Sequence, residues 1–205
     1  MQIDKQSFND ISIFHPEEEF SIFHKLNFTR TAGGKEWLKK FFTEPHDSIE
    51  KIIGTQKIIR TFMEHVKDWP TGISNGTVLM MDKFLDYSLD PVSENPASFN
   101  NMLYKWLHSE DYAMVKYSVS HFADFYRGLK QINELLDGLD LPISIRLYTD
   151  RIGRLLKEPA LQKLSETEPF KKFSTRQNLY YAHYLRGPYK TDTLELIETF
   201  SKLDA

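Results

Sequence analysis

The sequence predicts an all-α protein, a helical bundle that contains at least one long helix. Apolar residues recur at helical spacing over nearly the whole chain, and strict two-residue alternation is rare. Nine glycines and nine prolines punctuate 205 residues, and they fall between the periodic segments. With 40% hydrophobic and 27% charged residues, the chain is long and apolar enough to bury a sizeable core. The best strand candidate is the short segment ISIF at 11–14.

The first two helices are predicted from the residues that begin and end them. The first should begin at Pro16, because proline suits the first helical position and the acidic run 17–19 suits the positive end of the helix dipole. The second should begin near Thr31, a residue type that caps helix N-termini. Pro45 should end it.

The next stretch predicts two helices and a loop. Asp47-x-x-Glu50 has the pattern of a capping box, so a third helix should follow it and continue to Val66. A fourth helix is expected over roughly 76–87. Residues 88–98 contain two prolines and few apolar side chains, which indicates a loop.

The second half of the chain carries the strongest helical signal. Apolar and aromatic residues continue at helical spacing from about 109 to 137, and Gly138 should stop this long helix. Four more helices are expected, one after Pro142 and the others over about 159–165, 175–186 and 191–203.

Composition excludes several classes of protein. The formal net charge is −3 and the isoelectric point is near 6.2, which disfavours a generally basic nucleic-acid binder. The absence of cysteine excludes disulfides, thiol catalysis, zinc fingers and iron–sulfur clusters. No apolar run reaches the ~20 residues that cross a bilayer, and the first ten residues lack the apolar core of a secretory signal. We therefore expect a cytoplasmic protein with no membrane partner.

The motifs of familiar enzymes are missing from the sequence. There is no phosphate-binding loop, dinucleotide fingerprint, nucleophile elbow or H-E-x-x-H pair. His121 and Asp124 stand at i, i+3, downstream of His108 and Glu110, but a bundle metal site needs paired ligand motifs. A surface histidine paired with a helix neighbour is the favoured interpretation. We expect no catalytic, cofactor-binding or metal-binding residue in this chain, and a stand-alone helical enzyme is the weakest hypothesis.

One segment has the composition of a nucleic-acid contact. Residues 171–190 hold five basic side chains and no acidic one, with four tyrosines interleaved. Cations and aromatic rings are used for phosphate contacts and base stacking. The alternative, which we favour, is a helix whose tyrosines pack inward while its cations stay in water. The candidate phosphate contacts are Lys171, Lys172, Arg176, Arg186 and Lys190.

Residues 20–59 read FSIFHKLNFTRTAGGKEWLKKFFTEPHDSIEKIIGTQKII. This segment resembles, without a gap, the signature of the core domain of MutS-family DNA mismatch repair proteins. Asn27 stands where the family usually has aspartate, and Ala32 replaces a frequent proline. Phe41-Phe42, Thr55 and Ile59 also differ from the usual residues, whereas the spacing and the motif positions named below match. The motif residues, which we interpret as structural rather than catalytic, are Asn27, Thr29, Thr31, Gly34, Leu38 and Pro45.

The final segment LELIETFSKLDA resembles the last core helix of that family, which leads directly into the ATPase domain. The resemblance implies an N-terminal extension at 1–19, a helical core (lever) over 20–205, and an ATPase domain beyond this chain. Only about nineteen residues precede the core, too few for the mismatch-reading domain, and the clamp domain is expected to be reduced or absent. ATP and Mg are expected only in the missing ATPase domain.

The leading hypothesis is a non-catalytic lever that couples ATP-driven motion of the missing motor to DNA binding. The resemblance implies that the full-length protein binds DNA, hydrolyses ATP and forms a homodimer through its ATPase domains. The alternative is a helical protein-interaction module with no nucleic-acid role, in which residues 20–59 match by chance.

Overall fold

The computed structural model describes residues 12–89 and 98–205. This part of the chain is all-α, as predicted, and contains ten α-helices and no strand. A short 3-10 helix, Glu18–Phe20, precedes them. The helices are α1 Ile22–Leu26, α2 Ala32–Thr43, α3 Ile49–Glu64, α4 Asn75–Asp86, α5 Ser98–Leu107, α6 Ser109–Leu136, α7 Ile143–Leu155, α8 Pro159–Ser165, α9 Thr175–Arg186 and α10 Lys190–Asp204.

The described residues fall into two compact units, whereas the sequence suggested one core over 20–205. Unit 1 comprises the described residues up to Glu64 together with Glu198–Ala205. Unit 2 comprises His65–Ile197. Helix α10 therefore contributes its first residues to unit 2 and its last residues to unit 1.

The core of unit 2 is built around α6, the long helix that the sequence predicted over 109–137. It packs chiefly against α4 and α8, and also contacts α5, α7 and α9. Its inward residues recur every three or four positions, and each such side chain contributes about 1.5–3 kcal/mol when fully buried. The fully buried ones are Val115, Val119, Phe122, Phe125, Tyr126, Leu129 and Ile132.

Two hydroxyl groups bond inside this core. The Thr193 hydroxyl donates to the Tyr189 carbonyl oxygen at 2.7 Å, so its oxygen is left to accept. The buried Tyr126 hydroxyl lies 2.7 Å from that oxygen and donates to it. Burial raises the pKa of Tyr126, which keeps the phenol protonated as a donor. The pair joins α6 to α10 within unit 2.

Several predicted helix ends are confirmed by their capping groups. The Thr31 hydroxyl accepts from the Gly34 amide at 3.0 Å and begins α2. Ser174 forms a capping box with Gln177 at the start of α9. Gly138 has a φ of 72°, the left-handed conformation that suits glycine after a helix, and it follows the end of α6.

The predicted first helix is wrong in its start. Residues after Pro16 form the 3-10 helix rather than an α-helix, and α1 begins only at Ile22. Ser21 separates the two because its backbone is extended and its hydroxyl accepts from the His24 amide at 3.3 Å. A serine placed to cap therefore overrides the acidic start signal at 17–19.

The third helix begins in a different way from the predicted capping box. Asp47 binds Lys51 at 2.7 Å, and this contact lowers the pKa of the Asp47 carboxyl. The Ser48 hydroxyl accepts from the Lys51 amide at 3.3 Å and so takes the capping role. The helix ends at Glu64, two residues before the predicted Val66.

Helix α5 was missed in the sequence, and the strand candidate was wrong. The predicted loop at 88–98 lies mostly outside the described residues, and α5 begins at its last residue. Residues 12–14, the described part of the ISIF segment, form a turn. In the two stretches that the structure covers, no helix combines the length and apolar character needed to span a membrane.

Replacing Tyr126 by phenylalanine should lower the free energy of unfolding by about 1 kcal/mol, because the buried Thr193 oxygen loses its donor. Urea denaturation followed by circular dichroism measures the change. The matched control is Tyr117→Phe at an exposed tyrosine of the same helix, expected within about 0.5 kcal/mol of the parent chain. Equal unfolding midpoints for the two variants would contradict the Tyr126–Thr193 bond.

Candidate functional site

The motif at residues 29–34 and the end of α10 meet in unit 1. The Asp204 carboxylate accepts from the Arg30 amide at 3.0 Å, from the Thr31 amide at 2.9 Å and from the Thr31 hydroxyl at 2.7 Å. These residues are separated by 173 or more positions in the chain. A carboxylate at this position also neutralises the positive end of the α2 dipole. We call this contact the Asp204 joint.

Two glycines make the Asp204 joint possible. A Cβ at Gly34 would lie 2.8 Å from the Asp204 Cγ, and a Cβ at Gly33 would lie 3.0 Å from the Ser201 Cβ. The first distance is shorter than real Cβ contacts and the second is tighter than most of them, so the α10 side chains would have to shift. The sequence predicted that Gly34 admits another backbone, whereas the structure brings the side chains of α10 against it.

A second contact joins the same two elements. Two ammonium groups lie over the indole ring of Trp37, with the Lys40 Nζ and the Lys202 Nζ each 4.6 Å from its centroid. Cation–π contacts of this kind add stability where the rings are partly shielded from water. The α2 helix therefore contacts α10 at its first turn and again one turn later.

The other motif residues have local roles. The Asn27 Oδ1 accepts from the Thr29 hydroxyl at 2.7 Å, which holds the turn before α2. Leu38 is half-buried on α2, and the exposed Pro45 follows the end of that helix. Asn27, where the family usually has aspartate, thus retains an acceptor oxygen for Thr29.

The five basic residues of segment 171–190 do not form one patch. The Lys190 Nζ donates to the Leu85 carbonyl oxygen at 2.8 Å, and the Arg186 guanidinium donates to the Tyr87 carbonyl oxygen. Arg186 also lies over the Phe84 ring, 5.6 Å from its centroid. These two cations bind carbonyl groups at the end of α4, where positive charge is favoured.

The tyrosines of the segment pack against one another. Tyr181 is buried, with its ring 5.4 Å from that of Phe173. Tyr180, Tyr184 and Tyr189 are half-buried and their rings follow one another at 4.7 Å and 5.9 Å. This packing agrees with the inward-facing interpretation that we favoured for the segment.

Lys171 and Lys172 line a groove of about 530 Å³ in unit 2, whereas the exposed Arg176 lies in the first turn of α9. One wall of this groove, which we call the α6 groove, is a face of α6, and the other is the loop 167–173. The α6 wall is lined by Ala113, Lys116, Tyr117, Ser120, Ala123, Asp124 and Arg127.

The loop wall is fixed to α6 by Arg127. Its guanidinium binds the Asp124 carboxylate and donates to the Thr167 carbonyl oxygen at 3.0 Å. Three residues further along the loop, Phe170 has a φ of 62°, which is uncommon for an aromatic residue. Its side chain is 99% exposed and stands beside Lys171.

His121 does not pair with a helix neighbour in the way that we expected. Its ring contacts Tyr117 edge to face, with centroids 4.7 Å apart, and no hydrogen-bond partner for its two nitrogens lies among the described residues. Burial lowers the pKa of His121, although the Asp124 charge opposes this effect. Across the described ranges, no three histidine or carboxylate side chains come together as a metal site would require.

Sequence reasoning missed three parts of the site. Asp204 was read only as part of the LDA segment, and its role as an acceptor for residues 30–31 depends on the fold. Lys116 and Tyr117 belong to a helix that was read as core. Phe170 directly precedes the basic segment, and the triplet Phe170-Lys171-Lys172 was the available signal.

Comparison of the chain with protein-family models, with curated proteins and with solved structures finds no match. The physical contacts described above therefore carry the functional proposal together with the resemblance at residues 20–59.

Replacing Gly34 by alanine should lower the free energy of unfolding by about 1–3 kcal/mol, because the new methyl group displaces the Asp204 carboxylate. Gly54→Ala is the matched control on α3, where a Cβ meets nothing within 4 Å. That variant should gain about 0.5–1 kcal/mol from its better helix propensity. Urea denaturation measures both, and a gain in stability for Gly34→Ala would contradict the Asp204 joint.

Neutralising four of the five basic residues one at a time should separate them into two groups. Arg186→Gln and Lys190→Gln should each lower the free energy of unfolding by about 1–2 kcal/mol, because they leave α4 carbonyl groups without their charged donors. Lys171→Gln and Lys172→Gln should change it by less than about 0.5 kcal/mol, since both are exposed. Thermal denaturation of the four variants provides the comparison, and similar losses in all four would refute this division.

Proposed function

We propose that this chain is the helical core, or lever, of a MutS-like DNA repair ATPase. In this role it carries no catalytic residue and transmits nucleotide-driven motion of a motor domain to DNA. The resemblance at residues 20–59 and at LELIETFSKLDA supports the assignment. The parent protein would bind ATP and Mg in its motor and would form a homodimer there.

The observation that carries the proposal is the Asp204 joint. The two segments that resemble the family lie at opposite ends of the chain, and they meet through Asp204, Thr31 and Gly34. A chance resemblance gives no reason for the matched residues of one segment to bond to the matched residue of the other. In the family, the last core helix leads to the motor, so motion of α10 would reach α2 through this contact.

The mechanical role follows from helix stiffness. Long helices move as rigid bodies in domain rearrangements, and interfaces between packed elements switch between discrete arrangements. A three-bond carboxylate contact between α10 and the start of α2 is directional, because two of the three donors are backbone amides. Displacement of α10 would therefore either carry α2 with it or break three hydrogen bonds at once.

The reading frame beyond the codon for Ala205 gives the first test. We expect a G-x-x-x-x-G-K-[ST] phosphate-binding loop within about two hundred codons, which is the size of a further domain. A stop codon directly after Ala205 would contradict the lever function.

ATP hydrolysis by the full-length gene product, measured with and without branched DNA, provides the second test. Asp204→Asn should reduce the stimulation by DNA, because an amide accepts more weakly than a carboxylate and adds donors beside the Thr31 amide. The matched control is Asp150→Asn at an exposed carboxylate of α7. Equal stimulation in the Asp204 and Asp150 variants would show that coupling does not pass through the joint.

Helix α3 favours the alternative, a protein-interaction module. None of its residues is buried, and Ile49, Ile53 and Met63 are 75%, 58% and 70% exposed. An apolar surface of this kind is typical of protein contacts. DNA titration of the chain tests this alternative, because salt-sensitive binding would contradict a module with no nucleic-acid role. Absence of binding would remove the DNA role for this chain alone, and the lever function is decided by the reading frame and by ATP hydrolysis.

A further inference from the structure

The α6 groove combines cations with aromatic rings in a way that unit 2 does not need for its own stability. Phe170 is 99% exposed, so its ring adds almost no buried area to the fold. Its left-handed backbone costs about 1–2 kcal/mol for a residue other than glycine. Because the exposed ring and the strained backbone of Phe170 do not favour folding, a role in binding a ligand explains them better.

The charges around the groove are predominantly positive. Four basic side chains line it, against the carboxylates of Asp124 and Glu168. Asp124 is already paired with Arg127, so it presents little free negative charge. The exposed lysines that remain are Lys116 on α6 and the loop pair Lys171 and Lys172.

We propose that the α6 groove binds an unpaired stretch of DNA, with a base stacked on Phe170 and backbone phosphates at Lys116, Lys171 and Lys172. Proteins that bind single strands combine a positively charged groove with aromatic side chains that stack on exposed bases. This inference rests on the proposed function for the identity of its partner as DNA.

The shape of the groove favours a single strand over a duplex. Its volume of about 530 Å³ is that of a site for a small ligand, which suits a short stretch of a flexible strand. Along α6 its lining includes small side chains, Ala113, Ser120 and Ala123, which leave room beside Tyr117. Tyr117 is itself exposed and offers a second ring on the opposite wall from Phe170.

An acidic peptide is the competing partner, because it also binds lysines. It would gain little from Phe170, since carboxylates do not stack on a ring. The contribution of Phe170 to affinity therefore distinguishes the two classes of partner, whereas the contribution of the lysines does not.

The test measures binding of the chain to a fluorescein-labelled oligothymidylate of about 16 nucleotides, the upper end of typical single-strand site sizes, over a series of salt concentrations. Phe170→Ala should weaken binding about tenfold, and Phe170→Tyr should restore it, because stacking on one base contributes on this scale. The double variant Lys171→Gln/Lys172→Gln should reduce the slope of log affinity against log salt by about 1.4.

The matched control is the double variant Lys157→Gln/Lys163→Gln, which removes the same charge from exposed lysines outside the α6 groove. Its affinity and salt slope should remain close to those of the parent chain. Circular dichroism of each variant checks that the fold is kept, which is expected because Phe170, Lys171 and Lys172 are exposed.

Three outcomes would overturn the groove assignment. Oligothymidylate could bind with the same affinity to the parent chain and to Phe170→Ala, which would leave the proposed DNA role intact and move the contact elsewhere. Polyglutamate could displace the oligonucleotide while Phe170→Ala has no effect, which would indicate an acidic peptide. Absence of binding at low salt would exclude the groove as a DNA site, whereas the lever function is decided separately by the reading frame and by ATP hydrolysis.

Discussion

Unit 1 depends on one carboxylate placed at the start of one helix. The backbone amides of Arg30 and Thr31, directly before α2, donate to the Asp204 carboxylate from the far end of the chain, and the Thr31 hydroxyl caps the first turn. The glycines at 33 and 34 leave room for the side chains of α10, because a Cβ at either position would lie within 3.0 Å of Ser201 or Asp204 atoms. Three of the motif residues thus have a physical reason: Thr31 caps α2 and binds Asp204, Thr29 is held by Asn27, and Gly34 leaves space.

Unit 2 uses the same principle at the opposite pole of a helix. The carbonyl groups at the end of α4 receive cations from Arg186 and Lys190, about a hundred residues later in the chain. In the core around α6, the buried Tyr126 hydroxyl is satisfied by the Thr193 oxygen. The hydrogen-bonding groups at these helix ends and on the Tyr126 hydroxyl therefore find partners that are distant in sequence. Such bonds fix how the helices pack against one another.

The sequence predicts those features of the fold that depend only on residues close together in the chain. Apolar periodicity over its 28 residues identifies α6, and the Thr31 cap marks the start of α2, because both signals depend on residues that are close together in sequence. Competition between neighbouring caps is harder to predict, as Ser21 and Ser48 show. Helix α5 was missed because a proline-rich stretch precedes it and Asn100 and Asn101 weaken its pattern.

The candidate site was predicted less well, for a geometric reason. Five cations close together in sequence were treated as one patch, but a carbonyl-rich helix end selects Arg186 and Lys190 while Lys171 and Lys172 face a groove. The aromatic and basic groups that complete the groove come from α6, some fifty residues upstream. Residues that are close together in sequence show only the local composition. A binding site depends on which helices and loops the fold places along the same surface.

Because residues from both ends of the chain complete unit 1, this unit cannot fold in the order of synthesis. Thr31 leaves the ribosome 173 residues before Asp204. At about 5–20 residues per second, the start of α2 waits roughly ten to thirty seconds for its acceptor. Closing so long a loop also adds entropic cost, so unit 2, whose contacts are available earlier, is expected to form first.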